Sequence, residues 1–313
     1  MHLRTLIAFA VLWLATTIPA AAQNNRSAVS ATGLDTNPCT IASPCRSLSA
    51  AKNVTNAGGE IIALDSAGYG TFTIDRSLTV GGAPGVYAAI SVPTGTGITI
   101  TAAATDQIVL RNLVLQGIGI TAGGSYGVDV QSAGETHIFD CTFREFASAG
   151  LHATKGNVVV DHVTATDNWV ALAIGSDSDA AVSIQGTVSN SFLQSNVFGL
   201  VVRSETHVAV SNSTLTANGT AAEAIETLGN PQVQILSAEI VFENSSITHN
   251  NTGVYTYGNP ANNFGEVWLS NSVLAYNAIG TDIEGHSFIT TFQNNEFVGN
   301  GSFTGSLNTA TLQ

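Results

Sequence analysis

Asp129 and His152 are two side chains of this 313-residue chain that could act together as a general acid–base pair. The competing reading is a solvated surface pair. Arg203 is a cation that could clamp a developing negative charge. Tyr255 and Tyr257 could lay their rings on a sugar, with Asp282 adding hydrogen bonds. Asp177 and Asp179, in the run Gly175-Ser-Asp-Ser-Asp, could offer oxygens to Ca²⁺. Two Asp without a spaced Glu fall short of an EF-hand loop, and a solvated acidic turn accounts for them equally. No other metal or cofactor is indicated.

These residues are brought into relation by a repeat, N-S-x-[LFI]-x-x-N-x-x-G. It is led by Asn190, Asn212, Asn244, Asn271 and Asn294, with looser copies at Asn112, Cys141 and His162. The copies fall about 26 residues apart on average, with short apolar alternations and no helical stripe, which is the signature of a solenoid. Val208 and Val210 point one way, and Val254 points opposite to Tyr255. This is the period of a strand, in runs of three to five residues bounded by Asn, Ser and Gly. Three such strands per repeat, always in the same order, predict a coil in which each strand lies beside its equivalent in the next turn. The result is three parallel sheets around one apolar core.

The leading asparagines are expected to point inward at a bend and to satisfy one another in a stack. Cys141 and His162, taken in the same register, would be their substitutes. The second Asn and the Gly after it suit the next turn, where positive φ is tolerated. Counting two residues past each repeat's Gly places Asp129, His152, Ala173, Val201, Tyr255 and Asp282 on one outward face. Counting four adds Gln131, Thr154, Gly175, Arg203, Tyr257 and Glu284. Tyr255, Tyr257, Phe264 and Trp268 flank an insert at 259–265. Their rings could stack on sugars or cover the core beneath the insert.

On these repeats the chain resembles the right-handed parallel β-helix of the pectin-lyase-like superfamily over residues 60–303. The stretches from Val29 to Ala51 (VSATGLDTNPCTIASPCRSLSAA) and from Gly58 to Val80 (GGEIIALDSAGYGTFTIDRSLTV) are similar to the N-terminal segment of secreted bacterial β-helix proteins. The resemblance implies an all-β fold and leaves activity open, since the superfamily holds lyases, hydrolases, epimerases, tailspikes and inactive scaffolds. The N-x-D, D-D, G-H-G and R-x-K motifs of its polygalacturonases are absent; Gly285-His286-Ser287 is the nearest fragment. Asp161-His162 resembles the W-x-D-H segment of pectate lyases without its Trp, and in register matches Ser211-Asn212 of a plain repeat.

Residues 23–59 read as an N-terminal cap and 304–313 as a tail. Ser43 is the expected N-cap of a helix with Pro44 in its first position, Leu48, Ala51 and Val54 on its apolar face, and Gly58-Gly59 at its end. Residues 1–22 have the basic start, apolar stretch and Ala20-Ala21-Ala22 cleavage signal of a secretory leader. No later stretch is long and apolar enough to span a membrane. In an oxidising compartment Cys39 and Cys45, in a Pro-bounded loop, are expected to form a disulfide, leaving Cys141 as a buried thiol.

With 9 basic and 22 acidic residues and no basic stripe, nucleic acid is a poor partner. A surface of Ser, Thr, Asn and Gly suits neutral glycans. The sequence therefore points to a secreted or cell-surface β-helix that binds a glycan or serves as a scaffold without catalysis. A polysaccharide lyase or glycoside hydrolase is the alternative.

Overall fold

The structure is a computed structural model that describes residues 24–176, 183–226, 237–259 and 264–311. The described strands stack into three sheets of twelve, ten and ten, every neighbouring pair parallel. One coil shows the plan. Glu135–Phe139 lies in sheet I, Thr142–Arg144 in sheet II and Ala149–Ala153 in sheet III, and the chain then re-enters sheet I at Asn157–Asp161. Each strand is hydrogen-bonded to the strands one coil before and one coil after it. Sheet I runs from Asn24–Val29 to Asn308–Ala310, so strands lie on both sides of residues 60 and 303.

Each repeat bends twice through left-handed backbone. The first bend uses Asn112, Asp140, His162, Asn190, Asn212, Asn244 and Asn271, with φ between 45° and 52°. The second uses Glu145, Asp167, Ser195, Ala217, His249 and Tyr276, with φ between 55° and 62°. The leading asparagines are thus bend residues. Asn190, Asn212, Asn244 and Asn271 are exposed, which overturns their expected inward position. Asn tolerates αL because its short amide bonds locally. Asn212, Asn244 and Asn271 do touch in an outer row, Asn244 donating Nδ2–H to Asn212 Oδ1 and Asn271 to Asn244 Oδ1.

The buried column is built by the second Asn of the repeat. Asn168 donates to Asn196 Oδ1 at 2.9 Å, Asn196 to Asn218 at 3.0 Å, Asn218 to Asn250 at 3.1 Å, Asn250 to Asn277 at 2.9 Å and Asn277 to Asn300 at 3.0 Å. Each Oδ1 also accepts the backbone N–H of the Asn one coil earlier. The second Nδ2–H goes to a core carbonyl, such as Leu193 O from Asn218. Every polar atom of the amide is used, which permits its burial.

A serine column runs parallel to it. Ser191, Ser213, Ser245 and Ser272 each donate Oγ–H to the carbonyl two residues back and accept an N–H from the preceding coil. Cys141 belongs to this column, because its thiol donates to Phe139 O two residues back. Asp140 therefore holds the bend that had been given to Cys141, a shift of one residue. The repeat glycines do not serve positive φ either. A Cβ on Gly127, Gly150, Gly199 or Gly253 would meet the carbonyl of the next coil's equivalent residue at 2.4–2.8 Å, so close approach of coils selects glycine there.

The helix, α1, is Leu48–Val54. Its N-cap is Ser47, whose side chain accepts from Ala50 N–H, and it ends at Thr55 before Gly58 and Gly59. Ser43 and Pro44 precede it in the cysteine loop, which corrects the expected start. Leu48 and Ala51 are buried against the first coils. Cys39 and Cys45 are bridged and Cys141 is free and buried. Burial pushes the Cys141 thiol up to about 12. Thiol titration should therefore find no reactive group in the folded protein and one after unfolding. Reducing the Cys39–Cys45 loop should cost about 2 kcal/mol by the loop-entropy relation. One reactive thiol in folded, unreduced protein would contradict the burial of Cys141, and more than one would contradict the bridge.

Candidate functional site

Along sheet III every second residue points out, because its neighbours fill the core. In Gly150-Leu151-His152-Ala153, Leu151 and Ala153 are fully buried and His152 faces outward. Strand pairing carries that position from coil to coil. Asp129 pairs with His152, then Ala173, Val201, Glu223, Tyr255 and Asp282 follow in order. Parallel pairing at about 4.8 Å per coil turns residues 21–32 apart in sequence into immediate neighbours.

At one end, Asp129 Oδ1 meets His152 Nδ1 at 2.7 Å and Gln131 Nε2–H donates to its other oxygen at 2.8 Å. Burial alone would raise the Asp129 carboxyl, but these two bonds outweigh it and hold the group below its ordinary range. The His152 ring stacks on Tyr126 with centroids 4.6 Å apart. Because Asp129 engages Nδ1, Nε2 is the ring nitrogen left for a ligand.

A hollow of about 300 Å³ opens beside this pair. Its floor includes Ala173 and Val201, and its walls include Tyr126, His152, Trp169 and Arg203. Small residues in the row make the depression. Trp169 is 46% exposed and stands edge-on to Phe198. It projects because it follows directly on the bend at Asp167 and the buried Asn168. Counting outward from the glycine position, held in this coil by Ala171, did not reach it.

The other end of the row holds Glu223, Tyr255 and Asp282. Glu223 is only 7% exposed. Burial pushes its carboxyl up to about 7, against the opposing charge of Arg203. Tyr255 donates its hydroxyl to Glu284 at 3.1 Å. Burial first, then this bond and the charges of Glu284, Glu223 and Asp282, push the Tyr255 phenol far upward. Tyr257 pairs with Glu284 one position further along the strand. Glu223 was missed because the count passed from Val201 to Tyr255 and left out the coil between them, where Ala221 takes the glycine's place. Counting from Asn218, which holds the register, would have found it.

No protein-family profile matches the sequence, and no curated protein matches it. Solved structures do. A rhamnogalacturonan lyase aligns with TM-score 0.52 at 12% identity, over 80% of this chain and 74% of that one. A lacto-N-biosidase from Eubacterium ramulus aligns with TM-score 0.52 at 9% identity, over 92% and 68%. The structure of XylC with xylose aligns with TM-score 0.52 at 9% identity, over 87% and 69%. The chain is a right-handed parallel β-helix of the pectin-lyase-like fold. At these identities the likeness establishes the fold and no more.

Several residues singled out by sequence lie elsewhere on the β-helix. Asp161 and His162 sit at a first bend, with Nδ1 2.8 Å from Oδ2, and Asp161 also accepts from Ser189 and Asn190. They form a surface knot away from the hollow. Phe264 and Trp268 belong to sheet I, so they do not share a face with Tyr255 and Tyr257. Phe264 packs on His286 and Phe288, and Trp268 on Phe292. Asp177 and Asp179 lie outside the described residues. Among the described residues no group of three or more His, Cys, Asp or Glu is arranged to hold a metal ion. No helix among them is long and apolar enough to cross a membrane.

Proposed function

We propose that this β-helix is a secreted protein that binds a neutral glycan along the outer row of sheet III. The observation that carries the reading is the hollow between Trp169, His152 and Arg203, floored by Ala173 and Val201. An exposed indole offers an apolar plate for a sugar face, while His152 and Arg203 offer hydrogen bonds to hydroxyls. The row continues past Glu223 to Tyr255 and Asp282, so a chain lying along the helix axis meets a new side chain about every 4.8 Å. The secretory leader read from residues 1–22 supports an encounter outside the cytoplasm. The aligned structures named for rhamnogalacturonan, lacto-N-biose cleavage and xylose favour a carbohydrate.

Charge favours a neutral ligand over an acidic one. The face carries Asp129, Glu223, Asp282 and Glu284 with Arg203 among them, on a chain of net charge −13. A polyuronate would be repelled. Xylan, arabinan, galactan, mannan and polygalacturonate, titrated calorimetrically against the full chain, test the reading. At least one neutral polymer should bind and polygalacturonate should bind least. Trp169→Ala should weaken that binding roughly 10–30-fold, as expected for a central aromatic contact. The double change Tyr255→Ala, Tyr257→Ala should weaken it several-fold. Unaltered binding in Trp169→Ala would remove the hollow from the site.

A further inference from the structure

The His152 ring is held from two sides. Asp129 Oδ1, on the preceding coil, engages its Nδ1 at 2.7 Å, and the Tyr126 ring lies against its face, 14° from parallel. Gln131 Nε2–H donates to the other oxygen of Asp129 at 2.8 Å. Both oxygens of Asp129 are thus engaged, and the carboxylate orients the imidazole rather than meeting a ligand itself. A carboxylate only accepts hydrogen bonds, so it keeps the proton on Nδ1 and leaves Nε2 to take or give one. The Asp129 side chain is 9% exposed and that of His152 28%, so the carboxylate is screened from water while the ring is open to the hollow it lines.

We propose that the Asp129–His152 pair hydrolyses O-acetyl esters carried by the neutral glycan, with His152 as general base and acid and Asp129 as its positioning residue. The assignment rests on the glycan-binding reading above. A histidine fixed by a buried carboxylate is suited to activating a water for attack on an acyl carbon. Arg203 stands in the wall of the same hollow, one outward step along the strand from Val201, which is two coils from His152. It supplies a permanent positive charge for the oxygen that becomes negative. The floor of Ala173 and Val201 is small and apolar, which suits the methyl group of an acetyl ester. Glycosidic cleavage makes a different demand, two carboxyls flanking one bond. Among the described residues, the lining of the hollow holds one imidazole and no carboxyl, and Asp129 lies behind that imidazole.

The step balances with water as the co-reactant. His152 Nε2 takes a proton from water, whose oxygen bonds to the acyl carbon. The π pair of the carbonyl moves onto its oxygen, which becomes an anion on the Arg203 side of the hollow. The pair returns, the bond from the acyl carbon to the sugar oxygen breaks, and its electrons go to that oxygen. The sugar oxygen takes the proton from Nε2 and leaves as a hydroxyl. Acetic acid departs and gives its proton to solvent, so the imidazole and the Asp129 carboxylate end as they began. One residue that first takes and then returns a proton is sufficient for this sequence.

The full chain is incubated with O-acetylated xylan and O-acetylated glucomannan, and released acetate is followed by proton NMR alongside reducing ends and unsaturated sugars. Binding of both polymers, with and without their acetyl groups, is measured by calorimetry. We expect acetate from at least one polymer, with neither new reducing ends nor unsaturated products. His152→Gln should lower kcat at least about 100-fold. Asp129→Asn should do the same with KM changed less than about threefold, because an amide donates to Nδ1 and moves the ring proton to Nε2. Native kcat in either variant overturns the site, as does a loss in Asp129→Asn that falls on KM alone. Binding without acetate release overturns it too and leaves the binding reading standing. New reducing ends or unsaturated products in place of acetate also overturn it. If neither polymer is bound or deacetylated, both readings fall.

Discussion

Asn218→Ala should lower the unfolding free energy by about 3 kcal/mol, whereas Asn212→Ala, six residues earlier, should cost about 1 kcal/mol. Asn218 is 3% exposed and its amide makes four bonds. It donates to Asn250 Oδ1 and Leu193 O, and it accepts both Asn196 N–H and Asn196 Nδ2–H. Alanine leaves those partners buried and unpaired, and the loss reaches the coils on either side. Asn212 is exposed in αL backbone with φ 49°. Its replacement costs chiefly the greater reluctance of alanine to adopt that conformation, and Ala217 already sits at φ 55° in the same coil. Urea midpoints at unchanged slope would measure both. Equal losses at the two positions would mean that the inner column does not carry the coil stack.

Glu223→Gln should make the protein more stable than the native chain above pH 7, by up to about 3 kcal/mol, and no different at pH 4. The folded carboxyl is raised from 4.5 to about 7, chiefly by burial. Between those values the folded state holds a proton that the unfolded chain has released. Stability therefore declines as pH rises through this window and stays reduced above it, where a buried anion is offset only by Arg203. Glutamine keeps the shape and removes the titration. Melting temperatures of both proteins from pH 4 to pH 8 should diverge as pH rises. Parallel curves would show that Glu223 is solvated in the folded protein.

The difference between Asn212 and Asn218 also marks where sequence reasoning stops. Both are asparagines at fixed places in the repeat, and Asn is suited to both an αL bend and a hydrogen-bonded column. Residue type therefore cannot assign the roles. Cys141 shows the same limit. Its neighbour Asp140 is as good a bend residue as Asn, and only the bonds of Cys141 to Phe139 and of Asp140 to the next coil establish the register. The glycines misled for a related reason. Gly150 and Gly199 look like turn residues, and what selects them is a carbonyl one coil away.

Of the candidate site, the outward places of Asp129, His152, Tyr255 and Asp282 were legible, because alternation along a strand is a local property. Arg203 was legible as a cation on the same face. Trp169 and Glu223 were not. Trp169 gains its exposure from the bend at Asp167, and Glu223 lies in a coil that the count left out between Val201 and Tyr255. The repeat period, strand alternation and absence of a helical stripe by themselves determined a three-sheet coil, since each coil must bury its apolar side chains against the next. Which coils abut, which amides face inward and which carboxyl loses its water were decided by the stacking of strands 21–32 residues apart. Hydrogen bonding between coils and burial depend on those distant neighbours, and no short window of sequence contains them.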